Sequence, residues 1–312
     1  MEASNVQWWA KPNPMAAAGA PAQIGSYRIP GLGSNTPSGT FTPPAGSPSA
    51  FQQRNKSPKG IKRKLTGDPR AQMSDRDKIL APSPASGGVP EPTEAYLTRA
   101  FTPSATLPTP KPILVVMDLN GTLLHRPSRR HATSFVERPH AKRFLQYCLD
   151  TFHVVIWSSA RPANVQSMCD QLLLGPSGDD SRASYRSRVL ATWGRDRFGL
   201  STADYNLRVQ VYKRLDMVWD DPRVKASHPD GGVWDQSNTV LVDDSLEKAR
   251  SEPYNLLPIP EFFGNASEPG LVVPQVHDYL NSLCYQSDVS SYMRENPFQV
   301  KENYKLAPPV EQ

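Results

Sequence analysis

ILVVMDLNGTLL, residues 113–124, drives five consecutive apolar residues straight into Asp118. An apolar run of this length, β-branched at its centre, reads as a strand buried on both faces. The pattern recurs outward along the chain. HVVIW (153–157), RVLATW (188–193) and TVLVDD (239–244) are further buried strands. RPHAKRFLQYCL (138–149) has Pro139 in its first turn and places Phe144, Leu145 and Cys148 on one helical face. PANVQSMCDQLLL (162–174), closed by Gly175, and then QVYKRLDMVW (210–219) and VPQVHDYLNSLCY (273–285) are predicted helices. The polar stretch GPSGDDSRASYRSR (175–188) is predicted to be a loop or small insertion rather than a large cap. Strands alternating with helices predict an α/β fold, a Rossmann-like, mostly parallel sheet with helices on both faces.

Composition divides the chain. More than half of its 32 prolines precede residue 113, and a mean hydropathy of −0.52 is low for a wholly compact protein. The expected organisation is a disordered Pro/Ser/Ala-rich tail (1–108), a folded domain (109–290) and a C-terminal extension (291–312). No acidic residue lies between Glu2 and Asp68, while RNKSPKGIKRK (54–64) concentrates positive charge. Such a cluster suits a nuclear-import receptor, nucleic acid or an anionic membrane, or is simply a solvated basic run. Nuclear or nucleo-cytoplasmic localisation is therefore expected. A mitochondrial address is the alternative, although the tail's prolines oppose the amphipathic helix of a presequence. Ser/Thr-Pro dipeptides at Thr36, Thr42, Ser47, Ser57, Ser83, Thr102 and Thr109 suit proline-directed kinases or arise from composition alone.

No run approaches the ~20 apolar residues that span a bilayer, and the N-terminus lacks a secretory pattern, so a soluble chain with no transmembrane segment is expected. Cys148, Cys169 and Cys284 are far apart and in no C-x-x-C pairing, which favours buried thiols in a reducing compartment. The six histidines show no metal-ligand spacing.

In parallel sheets, ligand sites form at the carboxyl ends of strands. Asp118 ends the first strand, Ser158 and Ser159 the second, and Asp243 and Asp244 a later one. Carboxylates converging on that rim call for a cation, and hard oxygen ligands suggest Mg2+. A serine hydroxyl and Lys213 could supply the hydrogen bond and positive charge that a phosphoryl group needs.

DLNGTLL, VVIWSSA, the lysine of VYKRL and NTVLVDDS resemble, in order, the four motifs of the haloacid dehalogenase superfamily. The nearer resemblance is to protein serine/threonine phosphatases acting on the RNA polymerase II C-terminal domain, with the NLI-interacting-factor-like proteins. VERPHAKRFL is similar to that branch's RPG-x-x-x-FL element, and YNLLPIPEF to its strand after the last motif. The likeness covers about residues 111–285. It implies a nucleophilic Asp118 that forms an aspartyl-phosphate, and Mg2+ held by Asp118, the backbone carbonyl of Asn120, and Asp243, with Asp244 beside it. It further implies a phosphoryl group bound by Thr122, Ser158, Ser159 and Lys213, with Lys248 a second candidate for the neutralising charge.

The implied substrate is a phosphorylated protein, such as a Ser/Pro peptide like the polymerase tail, with no nucleic acid bound by the folded domain. Arg126, Arg129 and Arg130 could attract an acidic phosphopeptide or form a solvated loop. Asn120 departs from the family, which carries there an aspartate that protonates the leaving alkoxide. A carboxamide has no titratable proton to give, and losing a general acid costs about 10²- to 10⁴-fold in rate. Three outcomes follow: a slow or selective phosphatase, a phosphatase-like binding or scaffold module akin to a protein-import translocase subunit, or an enzyme that stalls as aspartyl-phosphate.

Overall fold

The structure, a computed structural model, describes residues 79–305 apart from 129, 130, 132, 133, 174–185 and 230. After helix α1 (Glu94–Ala100) comes the central strand β1 (Leu114–Met117), then a short antiparallel hairpin of β2 (Leu124–His125) and β3 (Val136–Glu137). Helix α2 (Ala141–Thr151), β4 (His153–Trp157), helix α3 (Pro162–Leu172) and β5 (Val189–Trp193) follow. Next are α4 (Thr202–Asn206), α5 (Leu215–Asp220), α6 (Pro222–Lys225), β6 (Thr239–Asp243), β7 (Leu256–Pro258), α7 (Val272–Leu283) and α8 (Val289–Glu295).

The main sheet has the order β5-β4-β1-β6-β7, and every pairing in it is parallel. The three inner strands β1, β4 and β6 bury both faces, because alternate side chains point into opposite layers. Val115 and Met117 join Val154, Ile156, Val240 and Val242 in one cluster with Phe144, Leu145, Cys148, Met168, Val276 and Leu280 from α2, α3 and α7. Leu114 and Val116 join Val155, Trp157 and Leu241 on the other face, under Trp193, Leu215, Val218 and Val224. The expected α/β sheet with helices on both faces is the observed one, and the three cysteines are free and buried. Among the described residues no helix is long and apolar enough to cross a membrane.

Two expectations need correction. Residues 79–108, expected to lie in the disordered tail, carry α1 and pack against the domain. Thr93 caps α1 by accepting from the Tyr96 N–H, and Tyr96 and Ala100 are buried. Tyr96 Oη donates to Asn255 Oδ1 at 3.0 Å, and the Arg294 guanidinium donates to the Ala100 carbonyl at 2.8 Å. A tail's average composition conceals a short segment, TEAYLTRAF, with its own cap and apolar face. The expected boundary at 290 likewise cuts through α8, beyond which Phe298 is still buried. The tail up to residue 78, with its basic cluster, lies outside the described residues, as does most of the 175–188 loop.

The second correction concerns the helix expected over 210–219. Residues 210–214 are not helical, and only Leu215–Asp220 is. Val211, Tyr212 and Lys213 are consecutive and all buried, which one face of a surface helix cannot achieve. The Lys213 N–H instead donates to the Lys248 carbonyl at 2.7 Å.

Candidate active site

Asp118 follows Met117, which pairs with Ile156 of β4 and Val242 of β6, so the rim where these strands end gathers Asp118, Ser158 and Asp243. All three are at most 1% exposed. Lys213 Nζ, itself fully buried, donates to Asp118 Oδ1 at 2.7 Å and to Asp243 Oδ2 at 2.6 Å. Lys248 Nζ approaches from the turn after β6: it donates to Asp243 Oδ1 at 2.9 Å, lies 3.5 Å from Asp244 Oδ1 and 3.8 Å from Asp118 Oδ2. Both lysines considered from the sequence therefore touch the cluster.

The carboxylates are not equivalent. Burial pushes the pKa of Asp118 up, and although Lys213 and Lys248 oppose this, the Asp243 charge adds to it. Burial acts on Asp243 in the same sense, but both ammonium groups donate to it and hold its carboxyl below the usual range. Asp244 is raised to about 7 by burial and by its like-charged neighbours Asp118 and Asp243, against the pull of Lys248.

Carboxylate oxygens of Asp118, Asp243 and Asp244 lie within 4.8 Å of one another. Two features suit this set to a hard divalent ion. Asp118 Oδ2 is buried with no hydrogen-bond partner, a costly state for an anionic oxygen that a cation would relieve. Gly121, at φ +90°, leaves room for the Asp244 carboxylate, which a Cβ at that position would meet at 2.7 Å.

The remaining candidates are dispersed around this centre. Asn120 is exposed, and its Oδ1 accepts from the Arg126 N–H at 2.8 Å. Ser158 Oγ accepts from the Ala160 N–H at 3.4 Å, and Ser159 beside it is exposed. Thr122 is fully buried, its hydroxyl unpaired and its carbonyl held by Arg138 at 3.1 Å. Arg126 is half-buried, whereas Arg129 and Arg130 lie outside the described residues.

Two supporting residues were not singled out from the sequence. Arg138, 2% exposed, also pairs with Glu268 at 3.0 Å and lies over the Phe262 ring, fastening the loop after β1. Its only sequence signal was membership of the RPH element. His140 there stands where the pattern has glycine and adopts φ +66°, the left-handed region in which glycine is favoured. Glu252 accepts from the Leu215 N–H at 2.9 Å and from the Ser251 hydroxyl at 2.6 Å, capping α5 just after Lys213. Nothing in its sequence context marked it.

A family model described as NLI interacting factor-like phosphatase matches residues 113–290. An uncharacterized FCP1 homology domain-containing protein of Schizosaccharomyces pombe is 32% identical over 231 residues, spanning 70% of this chain and 89% of that protein. The structure of the fission yeast RNA polymerase II CTD phosphatase Fcp1 bound to beryllium fluoride aligns over 50% of this chain and 43% of its own, at 16% identity and a TM-score of 0.31. A parallel sheet that ends in a cluster of aspartates and lysines, together with a family match spanning that whole sheet, makes this chain a member of the NLI interacting factor-like phosphatases, a CTD-phosphatase-like branch of the haloacid dehalogenase superfamily.

Proposed function

We propose that the chain is a Mg2+-dependent phosphoprotein phosphatase that works through an aspartyl-phosphate on Asp118 and turns over best those substrates whose leaving oxygen needs little protonation. The observation that carries this reading is the placement of Asp118 at the end of β1, with Lys213 Nζ 2.7 Å from one oxygen and the other oxygen buried without a hydrogen bond, Lys248 Nζ standing 3.8 Å away. Asp118, the Asn120 backbone carbonyl and Asp243 would hold the ion, with Asp244 beside them, and the bound Mg2+ would offset negative charge on the phosphoryl oxygens.

Asp118 attacks phosphorus, the bond from phosphorus to the leaving oxygen breaks, and that oxygen departs with the electron pair. Lys213 balances the charge that the transferred group brings, and the Ser158 hydroxyl donates to one of its oxygens. Thr122 and Ser159 are the further phosphate-binding candidates, Thr122 through the hydroxyl that has no other partner. Asn120 can donate an N–H to the leaving oxygen but cannot transfer a proton to it, and it cannot deprotonate the water that opens the aspartyl-phosphate. Water or the substrate itself must do so.

The substrate class follows from the family: a phosphorylated protein segment, a Ser/Pro peptide like the polymerase tail being the first to try. Nuclear localisation remains part of the proposal, resting on the basic run at 54–64.

Asn120 also favours a second reading, a module that binds phosphopeptide without turning it over. Steady-state and single-turnover assays with p-nitrophenyl phosphate and a phosphoserine peptide, with and without Mg2+, separate the two. The phosphatase reading expects Mg2+-dependent release of p-nitrophenol that Asp118→Asn reduces by about 10³-fold or more. Activity unchanged by that substitution, or none on either substrate, overturns it. A single burst followed by silence identifies the stalled aspartyl-phosphate.

A further inference from the structure

Residues 79–91 form a strap with little apolar anchorage. Ile79, Leu80 and Val89 are exposed, and within the strap only Pro82 and Ser86 are buried. The attachment is polar, and it falls on the segments that carry the two site lysines. The Leu80 N–H donates to the Arg208 carbonyl at 3.0 Å, and the Leu80 carbonyl accepts from the Gln210 N–H at 2.7 Å. Arg214, next to Lys213, donates to the carbonyls of Gly87 and Gly88 at 2.8 and 3.0 Å. Arg250, two residues past Lys248, donates to the Pro90 carbonyl at 3.0 Å and pairs with Glu91.

The centre of the strap hangs on one carboxylate oxygen. Asp204 Oδ2, on α4, accepts from the Ser83 N–H at 2.8 Å, the Ser83 hydroxyl at 2.7 Å and the Ser86 hydroxyl at 2.5 Å. These donors, Ser86 foremost, hold the Asp204 carboxyl below its ordinary pKa. Ser83 precedes Pro84. Of the Ser-Pro and Thr-Pro dipeptides among the described residues it is the one whose hydroxyl donates to a carboxylate, since Thr102 donates to the Thr98 carbonyl and Thr109 is exposed.

We propose that Ser83 is a phosphorylation site for a proline-directed protein kinase, and that its modification detaches the strap and loosens the 208–214 segment that carries Lys213. Ser83 Oγ bonds to the γ-phosphorus of ATP, ADP leaves with the electrons of the broken bond, and the hydroxyl proton passes to solvent through the kinase's base. A donor thereby becomes a group of about −1.5 to −2 charge set against a carboxylate at hydrogen-bond range. The arginines tied to the same elements are engaged elsewhere: Arg214 with the strap's carbonyls, Arg195 with the carbonyls of Asp204, Tyr205 and Leu207. Any pairing with the phosphate would cost those bonds.

The test uses the full chain with phosphoserine installed at position 83 alone, read by amide hydrogen exchange. The expected result is exchange about tenfold or more faster at Leu80, Gly88 and Gln210, with the β1 and β6 amides unchanged. In an Asp204→Asn background the same modification should have a several-fold smaller effect, because the opposing charge is gone. Unchanged exchange at Leu80 and Gln210, or an Asp204→Asn chain that responds as strongly as the native one, overturns the proposal. So does failure of a purified cyclin-dependent kinase with ATP to modify Ser83 in the full chain. Exchange is independent of turnover, so a chain found inactive on every phosphate ester would sink the phosphatase reading and leave this test decisive. Where turnover exists, the proposal expects phosphoserine 83 to lower it.

Discussion

At Asn120 a carboxamide keeps the backbone carbonyl but removes the proton that an aspartate would move. The consequence depends on the leaving group, since a phenolate departs without help and a serine alkoxide does not. Asn120→Asp should raise turnover of a phosphoserine peptide by about 10²-fold or more and that of p-nitrophenyl phosphate much less; comparing kcat/KM for the two substrates checks this, and equal gains would contradict it. Gly121 is the second telling position. Gly121→Ala forces a Cβ to within 2.7 Å of Asp244 Oδ2 in a backbone held at φ +90°. It should cost roughly 1–3 kcal/mol of stability and weaken Mg2+ binding by at least about tenfold through the displaced Asp244, as thermal melts and calorimetric titration would show. Asp118, Asp243 and Asp244 could be named from the sequence because each ends or follows a legible strand, whereas Asn120 stood out only against the family motif it resembles. The partnership of both lysines with the same carboxylates could not, since it depends on where two separate turns cross.

Among elements, the stretch from Gln210 to Asp220 is the instructive one. Its residue types suit a helix throughout, but Val211, Tyr212 and Lys213 are buried in succession, which one face of a surface helix cannot achieve, and α5 begins only at Leu215. Glu252 secures that start. Burial raises its carboxyl from 4.5 to about 7, despite hydrogen bonds from Ser251 and Leu215 that favour the anion. Between those values the folded chain keeps a proton that the unfolded chain has released. Its contribution to stability is therefore greatest below about pH 4.5 and falls as pH rises through 7. Glu252→Gln keeps an acceptor for the Leu215 N–H and removes the titration. The variant should gain stability relative to the native chain by roughly 3 kcal/mol between pH 4.5 and 8, which urea unfolding at several pH values would measure.

For the whole molecule, the segment before β1 belongs to the folded unit. Arg99 pairs with Asp235 at 2.7 Å and Asp288 at 2.9 Å, and the Leu107 N–H donates to the Tyr285 carbonyl at 2.7 Å, so residues 79–108 lace the turn before β6 to the end of the domain. A chain beginning at Ile79 should retain the thermal stability of the full chain. One beginning at Thr109 should lose several kcal/mol through the vacated Tyr96 site and the unpaired Asp235 and Asp288, and it should melt well below the first by calorimetry. The sequence by itself determined four of the five strands, because four apolar runs each long enough for one buried strand leave little choice of secondary structure, and it determined the acidic residues that end two of them, Asp118 and Asp243-Asp244, because the parallel connection places those ends on one rim. Only the tertiary structure decided the rest. The non-helical path at Lys213, the Glu252 cap, the Arg138 clasp and the docking of residues 79–108 arise from contacts between segments far apart in the chain, where burial and hydrogen bonding outweigh local preference.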